Sequence, residues 1–497
     1  MHQALLIPEV LLEIFAYVNE RSYTQIRSTQ KSLAALATTC KVFYEPAMDL
    51  LWAEIYQLEP LLGCVTRLHP LIYGSGIGVP WHNLWAHDVE PLSAHEARQF
   101  LRHSARIRKL NISSNHPSRS SHLLSVMPAE ACVSPNLRSL TLSTKYLNHF
   151  LPHMLHQCHL LTVNESLESV VTRRFTLEHL CINIVDTCAY DTSTADELSL
   201  LSDRIRWCTR LDSVTLYCPI LDWVAWKHLS YIPTILRVDI DQGLVDAPLL
   251  LEQDIINFSP FLNITSLLFH LYDAAYIIPV MQHSQFPSLK EFGLDIDILY
   301  SADAEELLRA LSHCKATLEK ISIQCFYDEF MGPLDTTLTI IPHFLCFTQL
   351  RTLQLMLFKS NSCIYLDNDI LLEAMSTWPH IHTLEIKDSG FRPSSVSFHG
   401  LFTALRLCPQ LHTLQLTINT ATLDIDPDAE LIQHTSLRTL KLEASNFPIT
   451  NAETLARIIF AWLPCVDQVE NGNRSWDEVN THLTSLKAHA LYVAGAS

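Results

Sequence analysis

The stretch HFLPHMLHQCH gathers His149, His153, His156, Cys158 and His159. Imidazoles and thiolates are zinc ligands. His149, His153 and His156 follow the i, i+4, i+7 spacing that shares one face of an unbroken helix. Pro152 lies inside the stretch and stops or delays that helix. No acid sits among the histidines to serve as a general base, as it would in H-E-x-x-H. The chain has 25 His, so solvated or capping histidines are the simpler reading. The other candidates for acid–base work, His95-Glu96, Glu305-Glu306 and Asp424…Asp426, show no partner arrangement and read as solvated helix or loop charges. There is no G-x-S-x-G elbow and no recognisable setting for a cysteine nucleophile. Gly is scarce at 11 residues, and neither phosphate-cradling glycine motif is present. The expectation is a non-enzyme with no catalytic residues, metal or cofactor.

The elements that would position any such residues repeat along the chain. The pattern L-x-x-L-x-L, with Ile, Val or Phe allowed, appears as IRKLNI (107–112), LRSLTL (137–142), LEHLCI (177–182), LDSVTL (211–216), ILRVDI (235–240) and ITSLLF (264–269). It continues as LKEFGL (289–294), LEKISI (318–323), LRTLQL (350–355), IHTLEI (381–386), LHTLQL (411–416) and LRTLKL (437–442), with VDQVEN (466–471) as a degraded last copy. Most steps are roughly 24 to 34 residues, with a long gap from 137 to 177. The alternating half of each copy predicts a short strand with one face inward. Between copies the spacing is helical: Leu455, Ile458, Ile459 and Trp462 follow a capping box Thr450…Glu453, and Leu198, Leu201 and Ile205 follow Thr194…Glu197. Proline in SPNL, FPSL, WPHI and CPQL stops each helix before the next strand.

One strand and one helix cannot bury their apolar faces alone, whereas stacked copies can. The pattern is similar to leucine-rich repeats over roughly residues 106–470, in about 12–13 copies. The Asn that often follows the motif is present at Asn115 and Asn419 but missing from most copies, which leaves the repeat boundaries around 143–176 and 356–380 open. The resemblance implies an α/β solenoid with parallel strands on the inside and helices outside. The aromatic run Trp223, Trp226 and Tyr231 reads as helix core.

The net charge is -18 and the longest basic clusters are pairs such as Arg108-Lys109 and Arg173-Arg174, which argues against a nucleic-acid or anionic-membrane binder. The 14 Cys form no C-x-x-C pair, and Cys208, Cys314 and Cys408 sit at apolar positions, as expected in a reducing compartment. The N-terminus has no basic n-region and no unbroken apolar h-region, and no segment reaches the length of a membrane span. The expected location is cytoplasmic, nuclear or both.

The chain opens with MHQALLIPEVLLEIFAYV. Val10, Leu11, Ile14, Phe15 and Val18 have helical apolar spacing behind Pro8 and Glu9. Leu33, Leu36, Ala37, Cys40 and Phe43 give a second helical face, Pro46 is expected to break it, and a third helix ends at Leu51-Trp52. Three short helices hold themselves together poorly. Ile7-Pro8-Glu9, the run Val10 to Phe15, Ser32 to Phe43 and the closing Leu51-Trp52 resemble the F-box. Pro8 and Glu9 are contiguous where the commonest pattern separates them, and Phe43 stands where many F-boxes have Trp. The resemblance implies binding to a Skp-type adaptor through Ile7, Pro8, Val10, Leu11, Ile14, Phe15, Leu33 and Leu36, and through it to a cullin-based SCF ubiquitin ligase. The alternative for this segment is a cap over the first repeat.

The expected organisation is an F-box at 1–55, a connector at 56–105 marked by Pro60, Pro70, Pro80, Pro91 and Gly74-Ser75-Gly76, repeats at 106–470 and a terminal cap at 471–497. On the outward strand face, Thr352, Gln354, Thr383, Glu385, Thr413, Gln415, Thr439 and Lys441 are candidate contacts for a protein substrate. β-branched Thr also simply suits a strand. The function expected is a substrate-recognition subunit of an SCF-type ligase; the alternative is a repeat scaffold with no ligase role.

Overall fold

The structure, a computed structural model, describes residues 8–19, 26–73, 89–112, 122–124, 133–142, 150, 155–160, 178–183, 213–218, 223–231, 234–241, 260–325, 337–357, 363–387, 394–421, 423–425, 433–444, 449, 451–470 and 476–496. The chain forms two compact units, Met1–Cys218 and Pro219–Ser497.

The first unit opens with helices α1 (Pro8–Asn19), α2 (Ile26–Thr39) and α3 (Lys41–Ala53). The break between the last two falls at Cys40, whose backbone is extended (φ -157°, ψ 163°), and not at Pro46. Pro46 lies within α3, where it forgoes one bond to the Val42 carbonyl without ending the helix. Strand β1 (Glu54–Tyr56) follows α3 directly, and then come β2 (Lys109–Ile112), β3 (Ser139–Leu142), β4 (Gln157–Leu160), β5 (His179–Asn183) and β6 (Ser213–Cys218). Each of β1 to β5 pairs in parallel with the next.

Two of these strands were not foreseen. β4 fills the long gap after residue 137: LHQCHL is a repeat in which Cys158 takes a leucine slot, fully buried. β1 straddles the expected boundary between the F-box (1–55) and the connector (56–105), with Ile55 buried and in register with Leu110.

In the second unit, β7 (Ile235–Asp241), β8 (Ser266–Leu271), β9 (Glu291–Ile296), β10 (Lys320–Cys325), β12 (Thr352–Leu357), β14 (Thr383–Lys387), β15 (Thr413–Ile418), β16 (Thr439–Ala444) and β17 (Val469–Glu470) pair in parallel in that order. Two short strands, β11 (Thr337–Leu338) and β13 (Cys363–Ile364), pair separately. The fold is an α/β solenoid headed by the three N-terminal helices.

Register explains the core. Val238, Leu267, Phe292, Ile321, Leu353, Leu384, Leu414 and Leu440 align across neighbouring strands, all buried. Each such side chain contributes roughly 1.5–3 kcal/mol by leaving water. Helices cover that face: Ser301–Leu311 buries Ala304, Leu307, Leu308 and Leu311, and Ala452–Trp462 buries Leu455, Ile458, Ile459 and Trp462. The capping box expected at Thr450…Glu453 is replaced by Asn451, in the left-handed region (φ 78°), whose carboxamide oxygen accepts from the Thr454 hydroxyl. Thr450 and the Thr194…Ile205 segment lie outside the described residues. Trp226 is buried, its indole N–H donating to the Tyr276 hydroxyl at 2.8 Å, but Tyr231 lies on the surface, just beyond the end of helix Trp223–Ser230.

A helix meets the last strand of the second unit. Helix Asp477–Ala496 brings Asn480 beside β17, where its side chain accepts from the Val469 N–H (2.8 Å) and donates to the Val469 carbonyl (2.9 Å). One carboxamide thus occupies the place of a further strand. Asn480→Ala leaves both buried backbone groups unpaired and is expected to cost roughly 2 kcal/mol, read as a lower urea midpoint, with Asn480→Asp intermediate because it keeps only the acceptor.

Candidate functional site

Among the described residues no group of three or more His, Cys, Asp or Glu is placed to hold a metal ion. His149 and His153 lie outside the described residues. His156 pairs with Glu178 at 3.4 Å, and Cys158 and His159 are successive residues of β4, so they point to opposite faces. Burial pushes the Cys158 thiol up to about 12, as expected of a core side chain. Burial also lifts Cys314 to about 11 and Cys408 to about 12; Cys208 lies outside the described residues.

Three of the carboxylates singled out by sequence, Glu96, Glu306 and Asp424, have structural employment. Glu96 closes a capping box with Ser93 and receives the Arg67 guanidinium at 2.7 Å, which holds its carboxyl down at about 2. Glu306 accepts from Gln282 at 2.9 Å, and Asp424 from the His399 N–H at 2.9 Å. Glu305 is half-buried on helix Ser301–Leu311, and Asp426 lies outside the described residues.

The N-terminal helices form a small core of Leu11, Phe15, Leu33, Ala37 and Ala47, with Leu36, Phe43, Met48, Leu50 and Leu51 packed against it. Phe15 meets Phe43 edge to face at 5.7 Å. Three of the residues assigned to adaptor binding, Leu11, Phe15 and Leu33, are therefore internal to the unit, and Leu36 and Val10 are half-buried. Ile14 is 40% exposed, and Tyr17, which sequence did not single out, is 76% exposed. Val10, Ile14 and Tyr17 stand at i, i+4, i+7 and form an apolar stripe left over after the core is filled. Pro8 opens α1, and Ile7 lies outside the described residues.

This helical unit is joined to the first repeats without a flexible linker. The Arg108 N–H donates to the Ala53 carbonyl (2.9 Å) and the Gln57 N–H to the Asn111 carbonyl (2.7 Å). Trp52 stacks on His103 at 4.5 Å, and Arg106 reaches both Glu45 and Asp49 on α3.

With this geometry, residues 8–58 match the F-box-like family. The F-box-like domain covers α1 to α3 and ends just beyond β1. A comparison with curated protein sequences gave no match. Among solved structures, an internalin (inlF) from Listeria monocytogenes is similar at 13% identity and a TM-score of 0.36, covering 84% of this chain and 95% of its own. A likeness at that score carries no argument, and the solenoid rests on the strand register above. No helix among the described residues is long and apolar enough to cross a membrane.

The second candidate surface is the strand face opposite the helices in the second unit. Parallel register brings all eight predicted residues into two rows: Thr352, Thr383, Thr413 and Thr439 in one, Gln354, Glu385, Gln415 and Lys441 in the next. Glu385 and Gln415 are each only 6% exposed. Glu385 is engaged within the row, accepting from Gln354 at 2.6 Å and Lys441 at 3.4 Å. Beside these rows Lys387 pairs with Glu443 at 2.7 Å.

Sequence reasoning, drawn to the Ser and Thr positions, missed a charged cluster on β7 to β10. His270 lies between Asp239 (3.3 Å) and Asp295 (3.0 Å), with Asp241 opposite it in register. Arg237 is 3.9 Å from Asp239, and Lys320 with Ser266 holds Glu291. The signal was present in the x positions of LRVDI, LLFHL and FGLDI. Hydrogen bonds to Asp239 and then Asp295 raise the His270 imidazole to about 10 from an ordinary value of 6.5. Because the folded value is raised, the stabilisation is complete below about pH 6.5 and is lost as pH rises through about 10. The ring is 44% exposed, so solvent screens the pairs. A His270→Gln variant should therefore be less stable than the parent at pH 6, with the difference closing toward pH 10, and NMR should find His270 still protonated at pH 8.

Proposed function

We propose that the F-box-like domain docks a Skp-type adaptor, which ties the chain to a cullin-based SCF ubiquitin ligase, and that the open strand face holds a protein substrate. The observation that carries the reading is the stripe of Val10, Ile14 and Tyr17 on α1 of that domain, in which Val10 is half-buried and Ile14 and Tyr17 are exposed among the described residues. Such a stripe suits helix-mediated docking to a partner. The direct run of α3 into β1 supports the second half of the reading, because it keeps the domain in a fixed relation to the first repeats. This chain then performs no bond chemistry. It raises the effective concentration of substrate lysines at the recruited conjugating enzyme.

Co-expression with a Skp-type adaptor tests the reading. The wild-type chain should co-purify stoichiometrically. Ile14→Asp combined with Tyr17→Ser, both at exposed positions, should weaken binding by about 30-fold or more while leaving the urea midpoint in place. Leu11→Asp is unsuitable alone, because it buries a charge in the three-helix core and lowers stability as well. A folded wild-type chain that ignores the adaptor would overturn the proposal and leave a repeat scaffold without a ligase role.

A further inference from the structure

In the second unit, β9, β10, β12, β14, β15 and β16 are each preceded by a residue outside the core, and these residues form a ladder of their own. The Glu319 N–H donates to the Lys290 carbonyl (2.8 Å), Arg351 to Glu319 (2.7 Å), His382 to Arg351 (2.7 Å), His412 to His382 (2.8 Å) and Arg438 to His412 (2.9 Å). The carbonyls of Arg351, His382 and His412 also accept from the N–H groups of Thr383 (3.1 Å), Thr413 (3.1 Å) and Thr439 (3.0 Å). The ladder therefore runs directly beside the threonine row.

Its charge is uneven. The chain carries 52 acidic residues against 34 Lys and Arg. Yet from Arg351 to Arg438 the ladder reads Arg, His, His, Arg, and the residues two places earlier in the chain are Gln349, His380, Gln410 and Ser436. None of the eight is an acid. The carboxylates that bound this stretch are already engaged: Glu319 lies between Lys290 (3.2 Å) and Arg351 (3.4 Å), and Asp467, at the corresponding place ahead of β17, is 2.8 Å from Lys487. Deeper on the strand face, bases meet acids within the face itself, as Lys387 meets Glu443 and Lys441 meets Glu385. Arg351, His412 and Arg438 are exposed and His382 is half-buried. The two imidazole rings meet edge to face at 5.4 Å, and His382 Nε2 is 3.2 Å from Gln410 Oε1. Two arginines thus bracket two imidazoles across three strand spacings of about 4.8 Å, roughly 14 Å in all. An extended chain covers that length in about four residues.

We propose that the ladder from Arg351 to Arg438 receives an acidic, extended segment of the protein substrate, with carboxylates at the two arginines and the intervening chain along His382, His412 and the threonine hydroxyls. The inference rests on the reading of the strand face as the substrate surface and adds the chemical class of what it holds; adaptor docking plays no part in it. A basic edge on an acidic protein selects an acidic segment by charge complementarity. Exposed charges at the rim of an interface act mainly on the rate of encounter and on its salt dependence, which gives the site a kinetic signature.

The probe is a fluorescent peptide of about twelve residues with Glu at every fourth position among Ser and Gly, beside the same peptide with Gln for Glu. Its association with the full chain is followed by anisotropy in stopped flow. At low salt the Glu peptide should bind about tenfold more tightly than the Gln peptide. The difference should close as NaCl rises from about 50 to about 500 mM. Arg438→Glu should slow association of the Glu peptide about tenfold and change dissociation by less than about twofold, with the urea midpoint unmoved. Arg351→Gln should act in the same direction but less, because Glu319 already shares that charge. Lys227→Ala, which removes an exposed cation from helix Trp223–Ser230, should change nothing. No saturable binding of the Glu peptide at millimolar concentration, an effect of Lys227→Ala as large as that of Arg438→Glu, or tighter binding of single-stranded DNA through the same arginines would overturn the proposal. A Gln peptide bound as tightly as the Glu peptide and weakened by Thr413→Lys would remove the acidic class alone and leave the strand face as a substrate surface. Adaptor co-purification should be the same for Arg438→Glu as for wild type, so the ligase reading stands or falls separately.

Discussion

A parallel strand with leucines at alternate positions cannot hide them by itself, and a neighbour one residue out of register would turn them to the opposite face. Register is therefore the constraint on which the rest of this molecule depends. The row from Val238 to Leu440 is buried because each strand of the second unit meets its neighbour at the same motif position. That agreement also decides the outer face, because the residues between the leucines are then carried into rows of their own. The threonine row and the Gln354–Glu385–Gln415–Lys441 row are by-products of core alignment before they are anything functional.

A stack of strands must also end, and it ends differently at its two termini. At the start, α3 passes into β1 without a gap, so the F-box-like helices and the first strand are one continuous element. β1 covers the edge of β2, as a cap would, and on α1 the side chains of Ile14 and Tyr17 are exposed. At the other end, Asn480 satisfies both backbone groups of Val469 with a single carboxamide. Each solution follows from the cost of an unpaired backbone group.

Charges placed on the open face meet partners one or two strands away. His270 on β8 lies between Asp239 on β7 and Asp295 on β9, and Lys387 on β14 reaches past β15 to Glu443 on β16. Such cross-strand pairs stiffen the face and fix which side chains remain available to a partner. The N-terminal stripe is of another kind. Its apolar side chains are exposed because α1 must supply both a core face and an outer face from one short helix.

The amino-acid sequence by itself determined the repeats, the parallel α/β architecture and the three-helix segment at the N-terminus, because leucine periodicity and helix spacing are local signals that survive without coordinates. It also carried the alignment of Thr352, Thr383, Thr413 and Thr439, since equal motif positions become equal register positions. Tertiary structure decided what local signals leave open. A strand can form where Cys158 replaces leucine, because a small thiol fills the same buried slot, and LHQCHL is invisible to a search for leucines. Burial sorted Leu11, Phe15 and Leu33 from Ile14 and Tyr17, although all five are apolar and helical, because only packing against α2 and α3 says which way α1 turns.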